Sequence, residues 1–113
     1  MSVDQENLNM LREVIGDDLQ EIIEAFLTTS PEILGQIKFS IELEDAAGVQ
    51  LHSHTLKGSA ANIGAQHLPA LCAELEAKAK EGVVTPAFAQ MYANIEVESQ
   101  QVFNFLKEFL QSF

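Results

Sequence analysis

Gln50-Leu51-His52-Ser53-His54-Thr55-Leu56-Lys57-Gly58-Ser59-Ala60-Ala61-Asn62-Ile63-Gly64 is the stretch on which the reading of this chain turns. At about 100° of rotation per residue in a helix, Val49, Leu56, Ala60 and Ile63 share one face, while Gln50, His54, Lys57, Gly58 and Ala61 cluster on a different, largely opposite one. The first set needs a core to bury against, so the segment is one helix of a packed all-helical assembly. The second set is left to water or to a partner. Gly64 stands where a left-handed residue ends such a helix.

The same periodicity extends in both directions. Ser2 with Gln5 has capping-box spacing ahead of Leu8, Leu11 and Ile15, with Asp4 as the alternative N-cap, and Gly16 closes this short first helix. Asp17 and Asp18 favour a second helix start, and Leu19, Ile22, Ile23, Phe26 and Leu27 give it an apolar stripe. Ser30-Pro31 reads as a cap followed by a preset first turn, so a break is expected at residues 29–31, with a new helix through Ile33, Leu34, Ile37, Ile41 and Leu43. Asp45 is the expected cap of the helix that carries the opening stretch. A further helix starts near Pro69, with Leu68, Leu71, Cys72, Leu75 and Ala79 inward and Gly82 as terminator, and Thr85-Pro86 opens the last. Short connections favour antiparallel neighbours. The expected architecture is therefore an up-and-down antiparallel four-helix bundle with an additional short N-terminal helix or helices, in one domain over residues 1–113.

Composition narrows the function. The chain has 113 residues, 47% of them hydrophobic, which suits one modest core. Seventeen acidic against six basic residues give a formal charge of −11, which repels nucleic acid backbones and anionic lipid, so neither is an expected partner. Residues 1–56 hold eleven Asp/Glu and only Arg12 and Lys38 as bases, which makes Lys57 a local exception. A single cysteine, Cys72, reads as a buried helix residue, and no apolar run approaches the roughly 18 residues that span a bilayer. With no recognisable signal segment, a reducing, cytoplasmic setting is expected. The start at Met1 favours an independent protein.

The exposed stripe is where chemistry is expected. Gly58 follows His54 by one turn, although glycine inside a helix costs about 1 kcal/mol relative to alanine. A missing side chain there leaves the imidazole approachable, and Ala61 keeps the next turn low. Lys57 is a flexible point charge suited to accompany a phosphoryl group. A neutral imidazole is a nucleophile near neutral pH, and phosphoryl transfer asks a protein chiefly for in-line positioning and charge stabilisation. From the residues alone, a plain surface histidine beside an incidental glycine is an equal reading.

The segment His54-Thr-Leu-Lys57-Gly58-Ser-Ala-Ala-Asn-Ile-Gly64 resembles the hallmark of the histidine phosphotransfer (HPt) domain family: His-x-Leu-Lys-Gly, then small residues and a second glycine. The likeness extends to Ile15-Gly16-Asp17, to Phe26-Leu27 with Pro31, and to Leu71-Cys72 with Leu75-Glu76. It implies that His54 is phosphorylated on Nε2, that Lys57 supports the phosphoryl charge, that Gly58 gives steric access and that Gly64 serves the helix end. It further implies a phosphocarrier rather than an enzyme, with no ATP site and no cofactor of its own. Its partners would be receiver domains of response regulators or hybrid kinases, which supply the aspartate and Mg2+. One departure is that His52 and Ser53 precede His54, where the family usually has small residues.

Around this centre, Gln50, Leu51, Lys57, Gly58 and Ala61, joined by Leu11 and Ile15, are the expected docking surface of a monomeric protein; for Leu51, burial against the N-terminal helix is the competing reading. His52 lies about 160° around the helix from His54, so it reads as a core-boundary residue, and His67 as a first-turn or loop residue. Lys78 and Lys80 among Glu74, Glu76 and Glu81 read as a solvated helix face. Two rival functions are a helical scaffold that regulates a kinase or regulator without carrying phosphate, and a metal-dependent four-helix enzyme. The latter lacks the paired Glu and Glu-x-x-His ligands it would need.

Overall fold

A computed structural model describes all residues from Met1 to Phe113, arranged as five helices: α1 Gln5–Ile15, α2 Asp18–Glu42, α3 Ala46–Asn62, α4 Leu68–Ala79 and α5 Ala87–Leu110. The starts follow from side-chain chemistry. Asp4 caps α1, its carboxylate accepting from the Asn7 amide at 3.1 Å, and Asp45 caps α3 by accepting from Gly48 at 3.0 Å. Of the two caps considered for α1, Asp4 therefore serves; Ser2 instead donates to Gln101 on α5. The left-handed glycines Gly16, Gly64 and Gly82, at φ 60°, 78° and 87°, end α1, α3 and α4.

The expected break at residues 29–31 does not occur, because α2 runs through Pro31 without interruption. Leu19, Ile23, Phe26, Ser30, Leu34 and Ile37 form one buried stripe at three- and four-residue spacing, continuous across the proline. Proline inside a helix costs roughly 3 kcal/mol, whereas each large apolar side chain fully buried contributes about 1.5–3 kcal/mol, so a stripe of this length outweighs it. Pro31 itself is exposed, and its ring meets solvent rather than a neighbouring helix. Ser30 is no cap: it is fully buried on the stripe, its hydroxyl without a hydrogen-bond partner.

Helices α2 to α5 pack in a ring, α2 on α3, α3 on α4, α4 on α5 and α5 back on α2, while α1 packs on α2. One hydrophobic core fills the ring from end to end, from Phe88 and Ile37 to Phe26, Phe103, Leu106 and Phe109. Phe26 and Phe103 meet edge to face at 5.9 Å and join α2 to α5. The N-terminal segment is pinned to the α3–α4 turn: Asp4 donates its amide to Gly64, and Gln66 donates to Ser2. At the other end of α1, Arg12 lies 4.1 Å from the Phe113 ring and donates to Ser112, fastening the C-terminus. The bundle measures 44 × 21 × 20 Å, and no helix in it is long and apolar enough to cross a membrane.

Candidate functional site

Helix α3 presents two sides to its surroundings. Val49, Ser53, Leu56 and Ala60 are buried, which leaves His54 on the flank facing the seam with α4, its side chain 66% exposed. On α4 the buried stripe comprises Leu68, Cys72, Leu75, Glu76 and Ala79, so a carboxylate lies among apolar residues with only 7% of Glu76 exposed. A buried carboxylate is costly unless it is paired and hydrogen-bonded. Here both oxygens are satisfied: Lys57 donates from Nζ to Oε1 at 2.6 Å, and Oε2 lies 2.9 Å from Nδ1 of His54. Lys80, one turn further on at the C-cap of α4, places its Nζ 4.0 Å from Oε2.

The hydrogen bond from Lys57 holds the Glu76 carboxyl below its ordinary value against the opposing effect of burial, and the bond from His54 acts in the same direction. Glu76 is thus ionised near neutral pH. An ionised carboxylate only accepts hydrogen bonds, so Nδ1 of the neutral His54 ring carries the proton and Nε2 keeps its lone pair. A carboxylate that fixes a histidine tautomer leaves the opposite nitrogen as the nucleophile. Nε2 has no hydrogen-bond partner in the protein.

Gln50, Leu51 and His54 on α3, Glu76 on α4 and Lys80 at its C-cap surround one open depression together with Ala47. Leu51 is 61% exposed, which decides against burial under the N-terminal helix. Gly58 and Ala61 are exposed further along α3, and a Cβ at Gly58 would meet nothing within 4 Å, so no intramolecular contact requires glycine there. Leu11 and Ile15 are not brought into this cluster; both are half-buried against the core, and α1 packs on α2 rather than on α3 or α4.

Glu76 is the residue that sequence reasoning missed. Its place among Glu74, Lys78, Lys80 and Glu81 suggested a solvated face, and Glu74 and Glu81 are indeed exposed. The available signal was register: Glu76 follows Cys72 by four and Leu75 by one, which puts it on the inward stripe. Cys72, one turn before it, is fully buried, and burial pushes its thiol up to about 12, partly countered by Lys57, so it is no nucleophile. His52 is half-buried and His67 is exposed at the N-terminus of α4, both as expected. No group of three or more His, Cys, Asp or Glu side chains is placed to hold a metal ion.

Comparison with known proteins bears on this seam. The chain is 29% identical over 89 residues to the phosphorelay intermediate protein rdeA of Dictyostelium discoideum; the match covers 79% of this chain but only 35% of that protein. The fold is similar to the crystal structure of histidine-containing phosphotransfer protein B (HptB) from Pseudomonas aeruginosa PAO1, with TM-score 0.92 and 27% identity over 99% of this chain and 96% of the other. The HPT domain of an Hpt sensor hybrid histidine kinase from Shewanella shares the fold alone, at TM-score 0.83 and 18% identity, with the same coverage. The Hpt domain family model matches residues 21–111, a span that leaves out α1 and takes in both helices of the His54–Glu76 pair. By that match, over most of its length and all of its candidate site, the chain belongs to the Hpt domain family.

Proposed function

We propose that residues 1–113 act as one Hpt domain that relays a phosphoryl group through Nε2 of His54 between aspartates of receiver domains. The observation that carries this reading is the hydrogen bond of Nδ1 to buried Glu76, which leaves Nε2 as the free nitrogen of an exposed ring. In the forward step the Nε2 lone pair attacks the phosphorus of a receiver's aspartyl phosphate. The N–P bond forms as the O–P bond to the aspartate breaks, and the released carboxylate keeps the bonding pair. The ring retains its Nδ1 proton and gains positive charge, which the Glu76 carboxylate faces and stabilises. Transfer to a second aspartate is the reverse, so no proton needs to leave the ring in either direction.

In this scheme the chain is a carrier with no nucleotide site, and a divalent cation would be held by the receiver's own carboxylates. Gly58 and Ala61 leave room for the receiver to close over His54, and Leu51 offers an apolar contact beside it. We place the protein in the cytoplasm as a monomer with receiver domains as partners. The test is incubation with a phosphorylated receiver domain, followed by mass spectrometry of the intact chain. An acid-labile adduct of about 80 Da, one HPO3 unit, on the wild type and its absence in His54→Gln supports transfer. Binding without any label would point instead to a scaffold that regulates its partner.

A further inference from the structure

The depression that His54 lines lies to one side of it along α3. It takes in Ala47, Gln50 and Leu51, on the turns before His54, and none of Lys57, Gly58 or Ala61 beyond it. Helical side chains lean toward the N-terminus of their helix, so the imidazole covers the turn that carries Gln50 rather than the one that carries Gly58. Gln50 precedes His54 by four residues, the separation at which helical side chains are neighbours. The chain uses that separation repeatedly: Gln20, Gln90 and Gln100 donate from Nε2 to Glu24, Asn94 and Asn104, at 3.2, 3.0 and 2.9 Å. Gln50 has His54 in the corresponding place, and its half-buried amide is hydrogen-bonded to no group of the protein.

The other groups around the depression are already engaged. Ala47 and Leu51 have no polar side-chain atom, Glu76 only accepts, and Lys57 and Lys80 are both paired to Glu76. That leaves the Gln50 amide as the lining donor with no contact to give up. We infer that Gln50 donates from its side-chain amide to a phosphoryl oxygen carried on Nε2 of His54, and so helps to hold the phosphorylated ring. A neutral donor suits this place, because the phosphoryl dianion on a chain of charge −11 gains a hydrogen bond while the ion pairs of Glu76 stay intact. With Nδ1 bound to Glu76, the ring keeps one position relative to the turn before it. The covalent step is unchanged: the N–P bond forms at Nε2, the O–P bond of the donor aspartyl phosphate breaks with its pair left on the carboxylate, and the amide moves no proton.

The inference rests on His54 being the phosphoacceptor, and the experiment keeps the two ideas apart. The isotope-labelled full-length chain is phosphorylated with phosphoramidate, a small donor that needs no docking surface. Uptake and loss of the phosphoryl group are followed by 31P NMR, and the glutamine side chains by proton–nitrogen correlation spectra. On phosphorylation the Gln50 amide resonances should shift downfield and exchange more slowly with water, while those of Gln20, Gln90 and Gln100 stay in place. Gln50→Ala should shorten the lifetime of the phosphohistidine about threefold to tenfold, the effect of one ordinary hydrogen bond. Gln50→Glu should shorten it further, since a carboxylate there repels the group and has nothing to donate, and Gln90→Ala should match the wild type. Circular dichroism of each variant checks the fold, and the amide resonances need no variant at all. Unmoved Gln50 resonances or a wild-type lifetime in Gln50→Ala would overturn the inference, as would a defect seen only with a receiver-domain donor, which would assign Gln50 to docking. Label on His54→Gln, or none on the wild type, would instead overturn the underlying phosphoacceptor reading.

Discussion

Nδ1 of His54 and Oε2 of Glu76 lie 2.9 Å apart, joining an exposed ring on α3 to a carboxylate buried on α4. Because the second oxygen of Glu76 is taken by Lys57, the carboxylate cannot swing away without breaking a 2.6 Å contact, and the ring inherits that fixed position. Glu76→Gln preserves the shape but removes the charge that would face the ring as it becomes cationic in the proposed transfer. Phosphoryl uptake from a receiver domain should fall about tenfold to a hundredfold, with binding of that receiver little changed. Rapid-quench transfer kinetics alongside calorimetric binding measure both; equal loss in the two would show that Glu76 shapes the docking surface instead.

The same carboxylate links stability to pH. The folded protein holds Glu76 below its ordinary value of 4.5, chiefly through the Lys57 hydrogen bond, so folding favours its ionised form. A depressed carboxyl stabilises the fold at every pH above that ordinary value, and the contribution is lost as pH falls through the folded value. Urea unfolding of the wild type and Glu76→Gln between pH 7 and pH 3 should therefore show the wild type ahead at neutral pH, with the gap closing in acid. A gap that stays constant over that range would mean that Glu76 contributes packing alone.

Gly58 separates stability from access. A Cβ at this position meets nothing within 4 Å, and α3 would lose the flexibility that glycine confers, so Gly58→Ala should raise stability by up to about 1 kcal/mol. Under the proposed relay, transfer from a receiver domain should nonetheless slow, because the methyl group stands on the exposed flank one turn beyond His54, on the side from which a receiver would reach the ring. Phosphorylation by phosphoramidate should be unaffected. Thermal denaturation and the two transfer assays give three readings whose signs differ, and a receiver rate as fast as the wild type would leave the glycine without a functional reason.

How far such features can be read from sequence depends on whether the residue type or the neighbours decide them. Asp4, Asp45, Gly16, Gly64 and Gly82 were legible because capping and left-handed turns are local chemistry. The exposure of His54 and Gly58 followed from the helical period alone. Two features were not legible locally. Glu76 has inward register but the chemistry of a surface charge, and only the approach of Lys57 and His54 from another helix makes its burial tolerable. Likewise Ser30-Pro31 has the composition of a helix start, and what overrides it is the stripe on either side pressing into one core.

That override implies stored local cost at Pro31, and the cost can be recovered. The proline has no N–H to give to the Leu27 carbonyl one turn back, and the hydroxyl bonds of Thr28 and Thr29 go to the carbonyls of Glu24 and Ala25, so they do not replace it. Since Pro31 is exposed and does not line the His54 depression, replacing it leaves the core and the site in place. Pro31→Ala restores the missing donor and should stabilise the fold by roughly 1–3 kcal/mol, the range left after the proline's stiffening of the unfolded chain is subtracted. Urea unfolding should show a higher midpoint with an unchanged slope, and amide exchange should slow at residues 31–35. A lower midpoint would show that the proline's fixed backbone geometry is itself required to seat Leu34 and Ile37 in the core.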